Sequence, residues 1–483
     1  MKALVTTPTY LLYVDLVTRV VIPIENHRSE YYGISWFPGQ DDLVLSHSGV
    51  DNEKLTGIGE YAQSEIGWLS FGTGETQRFL SQPHQILCAS DGRIVCTNTG
   101  RNCITVIEPT RPGHYQEARL SEARWDRLSI DNPSGEHLNS IFEYEKLLYV
   151  LCHGHRQGSR VGILSYPELE IVSIFDCGSR FGMHNLWITD QGQWIACDSE
   201  NGSLVDLQSQ NPLWKCHSPI FTRGLAASDD VLIVGESEKV SRSGRHNSIA
   251  ALWIICRKTW KPLDYIFLGP FGSVHDVRLI DVPDYAHHGH PLIHEEFARV
   301  IRIPLAKFSE NRLSNAKIAF EHQSLWDDFL PVFGTPEIDI TGWGQAPPGV
   351  CCFVTEKSQG ELAFAYALQE PGVSHVSSVI GYQGKGDDSN MLAVLLQLES
   401  SERASLNIWM HDGNGWALVN KVDAAHIPAA GILRTKIHIA SVSIFIDDQF
   451  IAEIKSPNSG ALDGSQGIRW FAARVRPCAS SSE

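Results

Sequence analysis

HQILCASDGRIVCTNTGRN, residues 84–102, reads as two short apolar strands joined by a polar turn, the second ending in small polar residues. Asp91-Gly92 at its centre is a hairpin signal, because a two-residue hairpin turn needs the positive φ that glycine adopts without strain. The same pattern returns along the chain. YGISWFPGQDDLVLSHSG (32–49) precedes it, and HLNSIFEYEKLLYVLCHGH (137–155), HNLWITDQGQWIACDSENG (184–202) and RGLAASDDVLIVGESEK (223–239) follow. Two more strands come after the third instance in VGILSYPELEIVSIFD (161–176), and after the fifth in ALWIICRKTWKPLDYIFLG (251–269).

Four antiparallel strands per unit, repeated every roughly 40–50 residues, predict a β-propeller. The ends of the array fit together. KALVTTPTYLLYVDLVTRVVIPI (2–24) matches strands two to four of a unit, and VHDVRLIDV (274–282) matches a first strand alone. Joining them closes a ring and removes the exposed sheet edges. First strands begin near Gly33, His84, His137, His184, Arg223 and His275, which predicts six blades; a seventh within 50–66 or 284–305 is the alternative.

The regularity stops after about residue 283. Residues 284–335, with AHHGHPLIHEE and HQSLWDDFLP, read as a loop and linker packed on the propeller (1–283). From 336 to 475 a second run of alternating strands begins, with hairpin signals at Asp412-Gly413 and Asp447-Asp448. TKIHIASVSIFIDDQFIAEIK (435–455) and GIRWFAARV (467–475) resemble the closing strands of concanavalin-like or laminin-G-like jelly-roll sandwiches, which implies a β-sandwich here. Residues 476–483 read as a disordered tail. The expected fold is all-β: a six-bladed propeller followed by a jelly-roll sandwich.

Bulk composition excludes some functions. The chain has 483 residues, 43% of them apolar, so it can bury large cores in two or three domains. Its formal net charge of −17 argues against nucleic acid and anionic membrane surfaces as partners. No apolar run spans a bilayer, and Asp15 and Arg19 interrupt the apolar N-terminal stretch. Cysteine is odd in number, eleven, and Cys88, Cys96, Cys152 and Cys197 lie inside apolar runs. They read as free thiols of a reducing compartment, the cytoplasm.

First strands of propeller blades line a central channel, and their starts lie at one mouth. Those starts carry His84, His137, His184, Arg223 and His275. Imidazole binds divalent metals and transfers protons near neutral pH. Three readings follow. The four histidines hold Fe or Zn with open positions for substrate; they act as acids and bases without a metal; or they lock neighbouring blades through backbone carbonyls. Asn139, Asn185 and Asp276 follow their histidines closely, and an acidic neighbour orients an imidazole. Second strands end at the same mouth with His47, Asn98, His153, His155, Asp198, Glu200, Glu236 and Glu238. Asp198 or Glu236 would be the general base, His153 a further catalytic imidazole, and Arg223 the fork for an anionic group. For each acid, a structural ion pair is the competing reading. His287, His288, His290 and His294 form a second cluster, read as a solvated loop. No Walker loop, GxSxG elbow, CxxC pair or HExxH helix is present.

The RGLA…VGES blade resembles that of uncharacterised bacterial six-bladed propeller proteins, which implies a fold and little about activity. By fold analogy, carotenoid cleavage oxygenases hold iron with axial histidines, peptidylglycine amidating lyases hold zinc, and arylsulfate sulfotransferases use His and Arg without a metal. The expectation is an enzyme acting on a small organic molecule at the His-rich mouth, metal-assisted or acid–base: a lyase, hydrolase, cyclase or oxygenase. The alternative is a non-catalytic module that recognises a glycan or a protein, in part through the sandwich.

Overall fold

A computed structural model describes residues 1–26, 30–39, 43–47, 58–59, 80–111, 114–124, 135–154, 158–216, 218–292, 330–333, 337–338, 344–345, 350–355, 361–369, 371–382, 391–411, 416–422, 427–438, 441–455, 465–471 and 473–478. Among them there is no α-helix; strands dominate, with short 3-10 turns at Thr99–Arg101, Ser199–Asn201 and Arg242–His246. The chain is nearly all-β, and no helix is long and apolar enough to cross a membrane. Contacts divide it into two compact units, Met1–Cys216 with Ile220–Ala306, and His217–Pro219 with Lys307–Glu483.

The first unit contains six small antiparallel sheets among its described residues, five of four strands and one of three. Four of the sheets follow one another simply in sequence: Pro83–Cys88 onward, Leu138–Tyr144 onward, His184–Ile188 onward and Ile220–Ala227 onward. The three-stranded sheet joins Tyr31–Trp36, Leu43–His47 and Ile58–Gly59; residues 50–57 and 60–66, where an additional blade was an alternative, lie outside the described residues. The remaining sheet joins the two ends of the unit. Asp276–Leu279 pairs antiparallel with Lys2–Thr6, in the register Ala3↔Leu279 to Thr6↔Asp276, and Leu11–Asp15 and Val20–Glu25 complete it.

First strands are buried, and the outermost strands meet solvent. Tyr31–Trp36 and Pro83–Cys88 are buried at every residue, whereas Ile171–Asp176 is almost wholly exposed. Continuous apolar runs fit strands covered on both faces, and alternation fades where one face meets water. Apolar clusters fill the gaps between successive sheets. One joins Leu4, Leu11 and Tyr13 to Tyr31, Ile34 and Trp36; another joins Leu87, Val95 and Ile104 to Ile141, Val150 and Leu164.

The second unit has two seven-stranded antiparallel sheets. One apolar cluster draws on both, with Phe364, Tyr366 and Leu433 from one and Val376, Leu392, Val394 and Trp470 from the other. The Asp447-Asp448 hairpin forms with φ of +49° and +65°. Asp412-Gly413 lies outside the described residues, as do 293–329, His155, His294 and 479–483. Strand Leu330–Phe333 pairs with Val350–Thr355, so this unit's strands start ahead of residue 336.

Candidate functional site at the start of the first strands

Five first strands carry a register shift at the equivalent place: between Tyr31 and Ile34, Pro83 and Ile86, Leu138 and Ser140, His184 and Leu186, and Thr222 and Leu225. Such bulges re-aim side chains and raise the local twist. His137 and Asn185 sit beside or within them at φ of +51° and +47°. The alignment makes Tyr32, rather than Gly33, the counterpart of His84.

Two layers of side chains result. The upper layer is Tyr32, His84, His137, His184, Arg223 and His275, and its rings touch in series. Tyr32 lies 4.1 Å from the His275 ring and 4.1 Å from His84, centroid to centroid. His84 meets His137 at 5.3 Å, His137 stacks on His153 at 4.8 Å, and His153 meets His184 at 5.2 Å. The Arg223 guanidinium sits 4.9 Å from the Tyr32 centroid. Thus His84, His137, His153, His184, His275 and Arg223 are gathered in one neighbourhood.

Three of the imidazoles are oriented by backbone carbonyls through Nδ1. The Nδ1–H of His84 donates to the Gln82 carbonyl (3.0 Å), that of His184 to Gly182 (2.9 Å), and that of His275 to Tyr31 (2.7 Å). Among the described residues, no group of three or more His, Cys, Asp or Glu side chains is placed to hold a metal ion. The expected four-histidine centre of His84, His137, His184 and His275 is not among such groups. Burial, and then the nearby Arg223 charge, hold His184 and His275 well below the ordinary imidazole pKa, so both are neutral at pH 7.

Two expected bases are engaged elsewhere. Asp198 accepts from Arg180 Nε (2.9 Å) and from Asn201 Nδ2 (3.0 Å). Glu236 accepts from Trp253 Nε1 (2.5 Å) and Tyr265 O–H (3.2 Å). Their hydrogen bonds fasten each acid to strands of its own sheet and the turns around it. The carboxylate near Arg223 is Asp276, which pairs with Arg278 Nη1 at 3.0 Å.

Asp276 belongs to the lower layer, with Gly33, Gln85, Asn139, Asn185 and Gly224. Here side chains tie one first strand to another. Gln85 Oε1 accepts from the Ile141 N–H (2.8 Å), Asn185 Oδ1 from Gly224 (2.7 Å), and Asp276 Oδ2 from Ile34 (3.2 Å). Gly33 has no side chain because a neighbouring strand lies against it: a Cβ there would come within 2.7 Å of the Ile86 nitrogen.

A cavity of about 90 Å³ opens on the upper layer, lined by Arg223, His275, Arg245, Lys239, Glu200 and Glu238 among others. Lys239 and Glu200 pair at 2.5 Å, and Glu238 accepts from the Ile249 N–H. Among the described residues, Arg223 and Arg245 have no carboxylate within 4.0 Å. The repeat points to Arg223 but not to Arg245, which comes from the Arg242–His246 turn outside the strand pattern.

Of the second histidine cluster, read as solvated, His287 is buried, His288 is half-buried and His290 is exposed. Asp284 accepts from the Ala227, Leu279 and Ala286 N–H groups, and its carboxyl is pushed up to about 6 by burial. His287 Nε2 lies 2.9 Å from Ser35 Oγ, and His288 Nε2–H donates to the Trp36 carbonyl (2.8 Å). Burial holds His287 well below its ordinary pKa and His288 at about 4, with Arg278 adding to both. A base whose folded pKa is depressed keeps its full contribution above the unfolded value, about 6.5, and loses it as pH falls. Replacing His287 by Gln should therefore flatten the fall in unfolding free energy between about pH 7.5 and about pH 5.5, by up to about 1.4 kcal/mol per pH unit below 6.5. Asp284 works in the opposite sense and is untouched by the change. Urea titrations at the two pH values measure this; an unchanged difference would refute it.

No family model matches the chain, and no curated protein matches it. Solved structures are similar at low identity, among them the following three. A streptogramin B lyase is 13% identical, with 52% of this chain and 87% of that one covered, at a TM-score of 0.34. A protein of unknown function from Bacteroides caccae is 12% identical, with 57% and 97% covered, at a TM-score of 0.37. The carbohydrate-binding module CBM66 from Bacillus subtilis is 13% identical, with 31% and 91% covered, at a TM-score of 0.24.

Proposed function

We propose that the first unit is a six-bladed β-propeller, that the second is a jelly-roll β-sandwich, and that the propeller mouth is the active site of an enzyme acting on a small organic anion. The sheet count and the pairing of Asp276–Leu279 with Lys2–Thr6 support the ring. One observation carries the function: Arg223 and Arg245 line one cavity without carboxylate partners among the described residues, in a chain of net charge −17. Two such guanidiniums side by side repel each other, and a carboxylate, phosphate or sulfate between them relieves that cost.

Neutral imidazole supplies the proton chemistry in this reading. His275 commits its Nδ1–H to the Tyr31 carbonyl, which leaves the Nε2 lone pair to accept a proton from a ligand held by Arg223. The acid–base form is preferred to a metal-assisted one because no group of three or more ligating side chains is gathered among the described residues.

Arg245→Gln tests the anion site, since this side chain has no ion pair to lose among the described residues. Binding of acetate or inorganic phosphate, followed by isothermal titration at low salt, should weaken by about tenfold or more. Equal binding by the variant, or no binding by the unaltered protein, would remove the proposal.

A further inference from the structure

Below the cavity lies a second, smaller chamber. It has a volume of about 10 Å³ and shares Arg223 and His275 with the cavity above. Asn139, Asp276, Gln85 and Asn185 line much of the rest. Its size is about that needed for one water-sized atom.

The hydrogen-bonding groups in the chamber are unevenly used. The amide N–H groups of Gln85 and Asn185 turn to Asp276 Oδ1, at 3.5 and 3.3 Å. Asn139 is only 3% exposed, yet its Nδ2 has no hydrogen-bond partner among the described residues. Asp276 Oδ2 accepts the Ile34 N–H and retains a second lone pair. A ligand that fills the chamber without accepting from Asn139 would leave this donor unmet, at a cost of about 1–3 kcal/mol.

The occupant must therefore accept from Asn139 and donate to Asp276. A carboxylate oxygen has no proton to give and would be repelled by Asp276. An ammonium group has no lone pair for Asn139 and would face Arg223. A hydroxyl does both. Building on the anion site above, we propose that the bound molecule is a hydroxy acid: its carboxylate lies on Arg223 and Arg245, and its hydroxyl enters the chamber between Asn139 and Asp276. Sites built around a substrate hydroxyl discriminate strongly against analogues that lack it, because the site's own polar groups are then left unpaired.

The test compares glycolate with acetate and lactate with propionate, by isothermal titration on the full chain. Each hydroxy acid should bind at least about tenfold more tightly than its deoxy counterpart. Asn139→Ala should lower glycolate and lactate towards acetate and propionate while leaving the latter two unchanged. Equal binding within each pair would overturn the hydroxyl assignment but leave the anion site standing, and so would an Asn139→Ala protein that weakens all four acids alike. If none of the four binds, the anion site itself is wrong. The comparison of ligands needs no variant, so it holds even if Asn139→Ala fails to fold.

Discussion

Removal of residues 1–25 leaves a chain that does not fold cooperatively. Lys2–Thr6 is the partner of Asp276–Leu279, and the truncation strips three of the four strands from that sheet. Leu4, Leu11, Leu12, Tyr13 and Val14 are at most 2% exposed and are divided between two apolar clusters. The losses fall on both sides of the sheet: Leu12 and Val14 pack with Ile233, Leu252 and Val277, while Leu4, Leu11 and Tyr13 pack with Tyr31 and Trp36. Each such side chain contributes about 1.5–3 kcal/mol when buried, and whole domains are stable by only about 5–15 kcal/mol. The newly exposed Asp276–Leu279 edge would also invite association with other chains. The expected product is aggregated or partly unfolded, with a broad thermal transition. A monomeric truncation with a sharp transition would show that the first unit does not depend on the pairing of its two ends.

Asp276→Ala is expected to cost about 3–5 kcal/mol, the range for breaking a buried ion pair on one side. Arg278 is 1% exposed and would remain charged with its carboxylate gone. The backbone N–H groups of Ile34 and Val277 would lose their acceptor as well. Asp276→Asn keeps an oxygen for one of those donors and should cost less than Ala. Urea unfolding of the three proteins gives the order directly. If Ala and Asn behave alike and close to the unaltered chain, Asp276 does not hold the first strands together.

The sequence by itself determined the local pattern and its repetition. Period-two alternation, hairpin glycines such as Gly92 and Gly192, and fully apolar first strands are properties of consecutive residues, so the strand pairs were legible from 32 to 279. Repetition also singled out His84, His184, Arg223 and His275, because equivalent positions of a repeat take equivalent places; His137 stands one residue early, with Leu138 at the position of His84 and His184. Their partners were decided by tertiary structure. For Asp198 and Glu236 the sequence leaves a base and a structural ion pair open, and Arg180, Trp253 and Tyr265 reach them from adjoining strands and turns. Arg245 joins the cavity from a turn outside the repeat, and Tyr32 joins the histidine row through a one-residue difference in alignment. The orphaned amide of Asn139 is visible only beside its satisfied counterparts Gln85 and Asn185. The reason is physical. Strand formation answers to neighbours one or two residues away, whereas the direction of an imidazole nitrogen or an amide depends on bulges, twist and the approach of strands distant in sequence.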